Sequence, residues 1–441
     1  MPHDLSDDLS DESHYDRTRL RQWARGRARS AGMDRRDLLK LFAAGAAAGS
    51  MGLAAGAGPA FAATDTAAAA AAASGAPGAL AAPGILKPLP PELFTLRGTN
   101  AETNFAALRG TGLLTPVDRF FVRNHTSTPR VDPGRWRLKV WGDGLAGGPV
   151  EFSYERLRAL PVVERTLFLE CAGNARSFYA TQQGQAVTGT PWTLGAIGVA
   201  RWRGARLSDV LRQAGVTPGA VDVMPRGLDD EVTANGVNLG RVRRPLPVAK
   251  ALDDVLLAYE MNGQPLPADH GGPVRLVVPD WVGISSIKWV GDIEVSAEPL
   301  YSPWNTEMYR LFGPGHPAEG GPVVTRQTLK SAFELDLGAT VRVHRPRVLT
   351  GRSWSAAAPV TRIDVSVDGG GHWRRARVHD TPSRGGWVRW SVPWTPRVTG
   401  ATALLARATD ATGRTQPETS AHNTQGYLFD AVVRHPVTVV P

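Results

Sequence analysis

The one cysteine of the chain, Cys171, is the residue whose type and setting most directly suggest chemistry. It follows an apolar segment and opens a loop of small residues that also carries Asn174 and Arg176. A cation close to a thiol favours the thiolate, and soft sulfur suits a soft, redox-active metal. A cysteine nucleophile with His125 or His270 as its base explains Cys171 equally well. A small buried hydrophobic side chain is the purely structural alternative.

Composition excludes several classes of function. With Cys171 alone the chain can form no intramolecular disulfide, no multi-cysteine zinc or iron–sulfur site and no Cys-x-x-Cys-His haem attachment. Lys and Arg number 50 against 41 Asp and Glu, and the pI is about 10. These basic residues are scattered and do not interleave with stacking aromatics, so nucleic acid is not an expected partner. A positive field that attracts a small anion fits better.

Three further stretches carry side chains that could bind a ligand. Phe120–His125 places a cation and an imidazole together after an apolar segment. Tyr259–Gly263 leads through a Pro-rich turn to Asp269–Arg275, which holds a second imidazole and another cation. Trp281–Gly291 adds two serines and a lysine between apolar residues.

The elements that must position these stretches are predicted from the spacing of apolar residues. Arg135–Trp141 alternates polar and apolar residues and predicts a strand, and Thr166–Glu170 predicts a second strand that runs into Cys171. Leu207–Ala214 has helical spacing, and Val274–Pro279 predicts a buried strand. Strands and short helices mix without a regular βαβ alternation, so the expected fold class of this part is α+β.

Beyond about Gly320 the pattern changes to short strands separated by turns. Several such strands over roughly 120 residues predict an all-β, immunoglobulin-like sandwich. The Gly- and Pro-rich run Gly313–Pro322 is typical of a linker, so we expect an α+β domain at 88–315 and the sandwich at 325–441. The strands predicted in the second domain are Val360–Val367, Trp387–Val392, Ala403–Ala408 and Val432–Val440.

The N-terminal region predicts an exported protein. Residues 1–63 combine a charged extension, predicted to be disordered, with the pair Arg35-Arg36 before an apolar stretch that ends in Ala60-Phe61-Ala62. This arrangement is typical of a twin-arginine signal peptide, so we expect a periplasmic or secreted protein. A transmembrane anchor is the alternative, since the apolar stretch exceeds the ~20 residues that span a bilayer. Residues 64–87 predict an Ala/Pro/Gly-rich linker.

Together these motifs resemble the sulfite oxidase family of molybdopterin-dependent oxidoreductases. The family's molybdopterin domain carries the runs Phe-Val-Arg-Asn-His, Cys-Ala-Gly-Asn and Tyr-Glu-Met-Asn-Gly…Asp-His-Gly in the order found here. The likeness extends through Ala200–Leu207 and covers roughly residues 100–435. It includes the sandwich, which forms the dimer in that family, so the resemblance implies a homodimer.

The resemblance also implies a role for each matching residue. Cys171 is expected to ligate molybdenum, one atom per subunit, together with the sulfur atoms of molybdopterin. Taken singly, Trp192 and Tyr309 are better explained by core packing. The positions that match the substrate pocket and are expected to be catalytic are Arg123, Arg176, Trp192, Tyr309 and Gln425. The positions that match the binding site of the pterin and its phosphate are Phe121, Val122, Arg123, Asn124, His125, Asp229, His270, Arg275, Ser286, Ile287 and Lys288.

One position departs from the family pattern. The family's sandwich domain contributes a pocket arginine from an Asn-x-Arg-Gly stretch, where this chain has Asn423-Thr424-Gln425-Gly426. The substrate pocket is therefore expected to carry less positive charge than the pocket of animal sulfite oxidases, which weakens the case for sulfite as the substrate. Plant-type nitrate reductases, and bacterial members that act on other sulfur compounds, also lack arginine there.

The activity that the resemblance implies is oxygen-atom transfer, with sulfite oxidised to sulfate. Electrons are expected to pass to an external acceptor such as a cytochrome, because no haem-binding domain is visible. Alternatives within the family are oxidation of sulfane sulfur and reduction of a sulfoxide or nitrate. An alternative outside the family is a secreted binding protein whose sandwich is an adhesion module, and molybdenum content distinguishes it.

Overall fold

The computed structural model of the chain describes residues 82–441. The predicted extension, the signal peptide and residues 64–81 of the predicted linker lie outside the described residues. Within residues 82–441 no helix is both long enough and apolar enough to span a membrane. The described chain folds into an α+β domain followed by an all-β sandwich, which confirms the predicted fold class.

The first domain is built mostly of strands, with short helices between them. Its α-helices are Tyr154–Arg158, Ser177–Gln183, Leu207–Gln213, Val248–Asp253 and Pro303–Thr306, and its 3-10 helices are Phe105–Leu108, Val117–Arg119, Ala268–His270 and Gly283–Ser285. Its strands are β1 (Phe94–Arg97), β2 (Asn100–Thr103), β3 (Arg137–Trp141), β4 (Val150–Ser153), β5 (Val162–Glu170), β6 (Ile197–Arg206), β7 (Asp222–Gly227), β8 (Val232–Ala234), β9 (Val237–Gly240), β10 (Leu246–Pro247), β11 (Leu256–Met261), β12 (Gln264–Pro265), β13 (Arg275–Val277) and β14 (Val290–Ser296).

Two sheets enclose the core of this domain. One has the strand order β10-β7-β14-β3-β4, and the other has the order β12-β11-β6-β5 with β13 paired to β11. In β3, Leu138 and Val140 are buried while Arg137 and Lys139 are exposed. Because successive side chains of a strand point to opposite faces, this alternation turns one face of the sheet toward the core. Leu138 there packs in one buried cluster with residues of both sheets.

Strand β5 brings the cysteine into the interior. It pairs with β6 along its whole length, with Val162 opposite Ala205 and Glu170 opposite Ile197. Its first half is partly exposed, whereas its last four residues are buried. Since the strand ends at Glu170, the chain enters the loop at Cys171 below the surface.

The second domain consists of two sheets that pack face to face. Their strand orders are β15-β17-β21-β20 and β16-β23-β22-β18-β19. Phe333, Ile363, Trp390 and Leu404 contribute to the core between them. The strands are β15 (Lys330–Phe333), β16 (Ala339–Arg342), β17 (Arg347–Trp354), β18 (Val360–Ser366), β19 (Arg374–Arg375), β20 (Arg377–Val378), β21 (Trp387–Trp394), β22 (Gly400–Asp410) and β23 (His435–Val440).

The predicted linker between the domains is packed against the first domain. Inside the predicted linker the Gly321 amide donates to Leu311 O at 2.7 Å, and just after it the Val324 amide donates to Tyr309 O at 2.7 Å. The Val282 amide donates to the carbonyl of residue 325 at 2.7 Å. The Gln327 amide donates to Asp280 O at 3.0 Å. The chain therefore stays attached to the first domain up to Gln327, shortly before β15 begins.

Candidate active site

A cavity with an empty volume of about 740 Å³, its open mouth included, collects residues that are far apart in the sequence. Most of the site residues predicted from the sequence lie in its wall. They are Phe121, Arg123, Asn124, His125, Cys171, Asp229, His270, Arg275, Ser286, Ile287, Lys288 and Tyr309.

A short series of hydrogen bonds holds the loop that begins at Cys171. The Cys171 amide donates to Ala196 O at 2.9 Å, and the Ala196 amide donates to Asn174 Oδ1 at 3.0 Å. Cys171 is 8% exposed. A β-carbon at Gly173 would lie 2.5 Å from the guanidinium carbon of Arg176. Glycine at position 173 therefore allows the Arg176 side chain to fold back over the loop.

Two buried cations lie in the cavity wall. The Arg275 guanidinium donates to His270 O at 2.7 Å and to Ser286 O at 2.9 Å, and burial lowers its pKa to about 9. Lys288 Nζ donates to Asn124 Oδ1 and, at 3.0 Å, to the carbonyl of residue 269. Burial and the nearby Arg275 lower the pKa of Lys288 well below its usual value. An anion in the cavity would offset the cost of burying these charges.

Both histidines of the cavity have surroundings that lower the pKa and favour the neutral imidazole. His125 Nε2 lies 3.1 Å from Trp304 Nε1 and 3.2 Å from an Arg123 nitrogen, so it accepts from both donors. Burial, Arg123 and Lys288 lower the pKa of His125 well below its usual value. Burial also lowers the pKa of His270, whose Nε2 has no hydrogen-bond partner among residues 82–441. A ligand in the cavity is the natural partner of His270 Nε2.

Two carboxylates of the wall differ in how they are satisfied. Asp269 accepts hydrogen bonds from the backbone amides of Leu86 and Lys87 and from Thr128 Oγ1 at 2.6 Å. Asp229 Oδ1 is buried and, in the described part of the chain, has no hydrogen-bond partner. Burial raises the pKa of Asp229 to about 6. Asp229 therefore has a free acceptor for an N–H group of a ligand.

Tyr309 occupies the wall in a left-handed backbone conformation, with φ of 55°. Its ring stacks on the ring of Tyr427 from the second domain, with 5.1 Å between centroids and 11° between planes. The Tyr309 amide lies 3.4 Å from Tyr427 Oη, and the Leu428 amide donates to Ala172 O at 2.9 Å. Burial raises the pKa of Tyr309, so the phenol stays protonated at neutral pH. The second domain thus closes this side of the cavity.

Three predicted pocket residues lie beside the cavity rather than in its wall. The Arg176 guanidinium donates to Gln425 O at 2.8 Å and lies 5.2 Å from the centroid of the Tyr427 ring. Gln425 Nε2 donates to Glu307 O at 3.0 Å. Trp192 is fully buried, and its Nε1 has no hydrogen-bond partner within the described residues.

Val122 differs from the other residues of its run. Its side chain packs in a separate cluster with Phe94 and Ala101, and it does not line the cavity. In an extended segment, the side chains on either side of a residue point the opposite way, so Phe121 and Arg123 face the cavity while Val122 faces away. Val122 pairs through its backbone with Ala101, and its predicted part in cofactor binding stays a prediction.

Sequence reasoning missed several residues of the site. Asp269 and Trp289 line the cavity. They lie inside Asp269–Arg275 and Trp281–Gly291, the stretches predicted to bind a ligand, so the sequence could have identified them as site residues. Tyr427 stands two residues after Gln425, yet only the fold shows that it meets Tyr309. Val242 lines the cavity from a segment without any motif.

The variant Asp229→Asn is expected to lose part of the pH dependence of stability in the chain without bound ligand. The pKa of Asp229 rises from 3.8 to about 6 on folding. Below both values the carboxyl is protonated in the folded and unfolded chain, whereas between them only the unfolded chain ionises. Stability therefore falls across this window by up to ~3 kcal/mol and stays lower above it.

Denaturant unfolding at several pH values measures this difference. The exposed neighbour Asp230 provides the control, because it contributes little to the raised pKa of Asp229, and Asp230→Asn should keep most of the wild-type pH dependence. An Asp229→Asn variant whose stability changes with pH as strongly as that of the wild type would contradict the assignment.

Comparison with known proteins identifies both domains of the chain as ones found in molybdenum-cofactor oxidoreductases. Residues 125–304 match the family model described as an oxidoreductase molybdopterin binding domain, and residues 334–439 match a Mo-co oxidoreductase dimerisation domain. The solved structure of the sulfane dehydrogenase SoxCD from Paracoccus pantotrophus is similar, with a TM-score of 0.66 and 28% identity over 77% of this chain and 84% of that chain.

Curated relatives include enzymes with two different substrates in their names. The chain is 36% identical to the mitochondrial sulfite oxidase of Mus musculus over 348 residues, which are 75% of this chain and 62% of the mouse protein. It is 31% identical to a nitrate reductase of Ulva prolifera over 75% of this chain and 41% of that protein. The sulfite oxidase of Gallus gallus is 36% identical over 75% of this chain and 74% of the chicken protein. With both domain models matched in order, these identities show that the chain belongs to the sulfite oxidase family of molybdopterin oxidoreductases.

Proposed function

We propose that this chain is a molybdenum-dependent oxidoreductase that oxidises sulfite to sulfate and passes the electrons to an external acceptor such as a cytochrome. The observation that carries the proposal is the position of the sole thiol, Cys171, in one cavity wall with Arg275 and Lys288. A soft metal ligand beside two cations suits a metal cofactor that carries a phosphate. The relatives named sulfite oxidase support the choice of substrate.

The wall residues fit the molybdopterin cofactor. Cys171 would ligate molybdenum, and Arg275 and Lys288 would hold the phosphate. Asp229 and His270 would bind the pterin through the atoms that have no hydrogen-bond partner in residues 82–441. When bound, the cofactor supplies a metal that gives up an oxygen atom and accepts two electrons.

The residues around Cys171 would bind and orient an anionic substrate. Arg123 supplies a positive charge, and His125 fixes its position by accepting a hydrogen bond from it. Tyr309 keeps its phenolic proton and can donate it in a hydrogen bond to a substrate oxygen. The stacked ring of Tyr427 excludes water from the outer side of Tyr309.

A second candidate substrate is a compound that carries sulfane sulfur. Gln425, which cannot supply a positive charge, occupies the position where the family's sulfite-binding arginine is expected. The structural similarity to a sulfane dehydrogenase is consistent with this substrate class. The reductase alternatives, nitrate and sulfoxide, are tested by the same assays in the reverse direction.

Steady-state assays of the purified, molybdenum-loaded chain decide between these activities. We expect sulfite to reduce an artificial one-electron acceptor with one molybdenum per chain. Thiosulfate is the comparison for sulfane sulfur, and nitrate and methionine sulfoxide are offered with a reduced dye. Turnover of thiosulfate without turnover of sulfite would establish the second candidate, and absence of molybdenum would overturn both.

The variant Gln425→Arg is expected to lower the KM for sulfite with little change in kcat. A hydrogen bond to a charged group contributes about 1.5–3 kcal/mol, so the KM should fall roughly ten- to a hundredfold. The added charge binds substrate and transition state alike, which leaves kcat nearly constant. Arg176 keeps its bond to the backbone of residue 425 in this variant.

Gln425→Met is the control for this change, because it removes the bond to Glu307 without adding charge. Its KM for sulfite should not fall below that of the wild type. An unchanged KM in Gln425→Arg would show that residue 425 does not act on the substrate.

The assembly that we propose is a homodimer formed through the second domain. Its support is the match of residues 334–439 to a dimerisation domain. The second domain has its own hydrophobic core between its two sheets. Its outer surface can therefore bind a second copy of the chain without loss of the fold.

We also propose export through the twin-arginine pathway to a periplasmic or extracellular location. The support is the pair Arg35-Arg36 before the apolar stretch. The double variant Arg35→Lys/Arg36→Lys is expected to leave unprocessed precursor in the cytoplasm, because this pathway reads the arginine pair. Immunoblots of cell fractions measure the result, and normal export of the double variant would refute the proposal.

A further inference from the structure

The residue before the thiol, Glu170, carries a carboxylate that is completely buried. Its Oε1 lies 2.9 Å from Lys330 Nζ and accepts a hydrogen bond from Asn174 Nδ2 at 2.9 Å. Its Oε2 accepts a hydrogen bond from Trp354 Nε1 at 3.0 Å. A charge removed from water in this way is tolerated only when it is paired and hydrogen-bonded on all sides.

Two of these partners belong to the second domain. Lys330 begins β15 and Trp354 ends β17, and the two residues stand directly opposite each other in the register of these antiparallel strands. Lys330 is 2% exposed. One corner of the sandwich therefore inserts a cation and an indole N–H into the interior of the first domain, next to the end of β5.

The contacts continue from Glu170 to the thiol. Asn174 uses its side-chain N–H to bind Glu170 and its side-chain oxygen to accept from the Ala196 amide. Ala196 O in turn accepts from the Cys171 amide. Gln327 Nε2 also donates to Glu170 O at 2.6 Å, which fixes the peptide group that joins Glu170 to Cys171.

We propose that Lys330 and Trp354 are positioning residues for Cys171, so that the second domain sets the geometry of the thiol as well as the contacts between subunits. The role of Cys171 as metal ligand rests on the proposed function. The order that Lys330 and Trp354 impose on the loop that begins at Cys171, here called the thiol loop, is independent of it. Removal of the Lys330 charge leaves the Glu170 carboxylate buried without its cation, and opening of the loop relieves this cost by letting water reach the carboxylate.

The chain offers a matched control in a second buried ion pair. Arg352 is fully buried, lies 2.7 Å from Glu334 and donates to Leu108 O at 2.8 Å in the first domain. Arg352 also joins the two domains through a buried charge, yet none of its hydrogen bonds reaches the thiol loop. Lys330→Met and Arg352→Met therefore each break one buried pair, and only the first pair includes Glu170, the residue next to Cys171.

The sole thiol makes the first measurement specific. In the full chain produced without cofactor, the rate at which Cys171 reacts with an aromatic disulfide reagent reports the opening of its loop. We expect Lys330→Met and Trp354→Phe to raise this rate, the former by about tenfold or more, and Arg352→Met to change it by less than about twofold. Equal rates in Lys330→Met and Arg352→Met would overturn the proposal.

A double variant keeps the test decisive if Lys330→Met does not fold. Glu170→Gln/Lys330→Met removes both charges, so it should fold, and its Cys171 should again react slowly. Trp354→Phe should stay more reactive than the wild type, because it lacks the hydrogen bond from Trp354 to Glu170. A double variant with a thiol as reactive as in Lys330→Met would show that the ion pair is not what orders the loop.

The molybdenum-loaded protein gives an independent readout. Lys330→Met should change the Mo(V) electron paramagnetic resonance spectrum, and Arg352→Met should reproduce the wild-type spectrum. An unchanged spectrum in Lys330→Met would count against the proposal. Failure of the wild type to bind molybdenum would refute the proposed function alone, because the thiol measurement needs no metal.

Discussion

Replacement of Cys171 by serine is expected to reduce molybdenum-dependent turnover to less than about a tenth of the wild-type rate, because a hydroxyl is a harder and less acidic ligand than a thiol. The substitution changes one atom, and the backbone bonds of residue 171 to Ala196 and Asn174 remain available. The fold should therefore persist while the metal loses its protein sulfur.

Three measurements check this result: kcat with sulfite, molybdenum per chain, and the thermal unfolding curve. The unfolding midpoint of the cofactor-free variant should stay close to that of the cofactor-free wild type. A variant that retains normal turnover would show that Cys171 is not a metal ligand. Loss of turnover accompanied by loss of folding would point instead to the packing role of a small buried side chain.

Lys288→Met is expected to have opposite effects on cofactor binding and on the stability of the cofactor-free chain. In the loaded protein the change removes a charge-assisted hydrogen bond, worth about 1.5–3 kcal/mol, so the cofactor should bind roughly ten- to a hundredfold more weakly. In the cofactor-free chain it removes a buried cation whose pKa is lowered by burial, so the chain should become more stable.

Molybdenum content after gel filtration and denaturant unfolding measure the two effects. Lys250→Met is a suitable control, since Lys250 forms an ion pair with Asp254 at 2.7 Å and does not line the cavity. It should leave molybdenum content unchanged. A Lys288→Met variant that keeps its molybdenum through gel filtration would show that this lysine does not hold the cofactor.

The helices and strands that turn one face to the core were predictable from the spacing of apolar residues along the sequence. The helix predicted at Leu207–Ala214 forms as Leu207–Gln213, and the strand predicted at Arg135–Trp141 forms as Arg137–Trp141. Spacing cannot identify the partner of a strand. β14 pairs in parallel with β3, although the two strands are separated by most of the first domain.

The site was predictable where its residues lie in short motif runs, as for Arg123 and His270. The packing of Tyr427 against Tyr309 was not, because it depends on how the two domains meet. The linker was predicted because glycine and proline, which are frequent in Gly313–Pro322, break regular structure. Its hydrogen bonds to the first domain arise from backbone groups, which carry no residue-specific signal.

The bond between the Leu428 amide and Ala172 O has a consequence for the order of events during synthesis. The two residues are far apart in the sequence, so the ribosome must have passed residue 428 before this contact can form. The loop that must close is long, and long-range contacts form late in folding. The outer wall of the cavity is therefore absent while the first domain emerges, and it can close over a cofactor only after the second domain has been synthesised as far as residue 428.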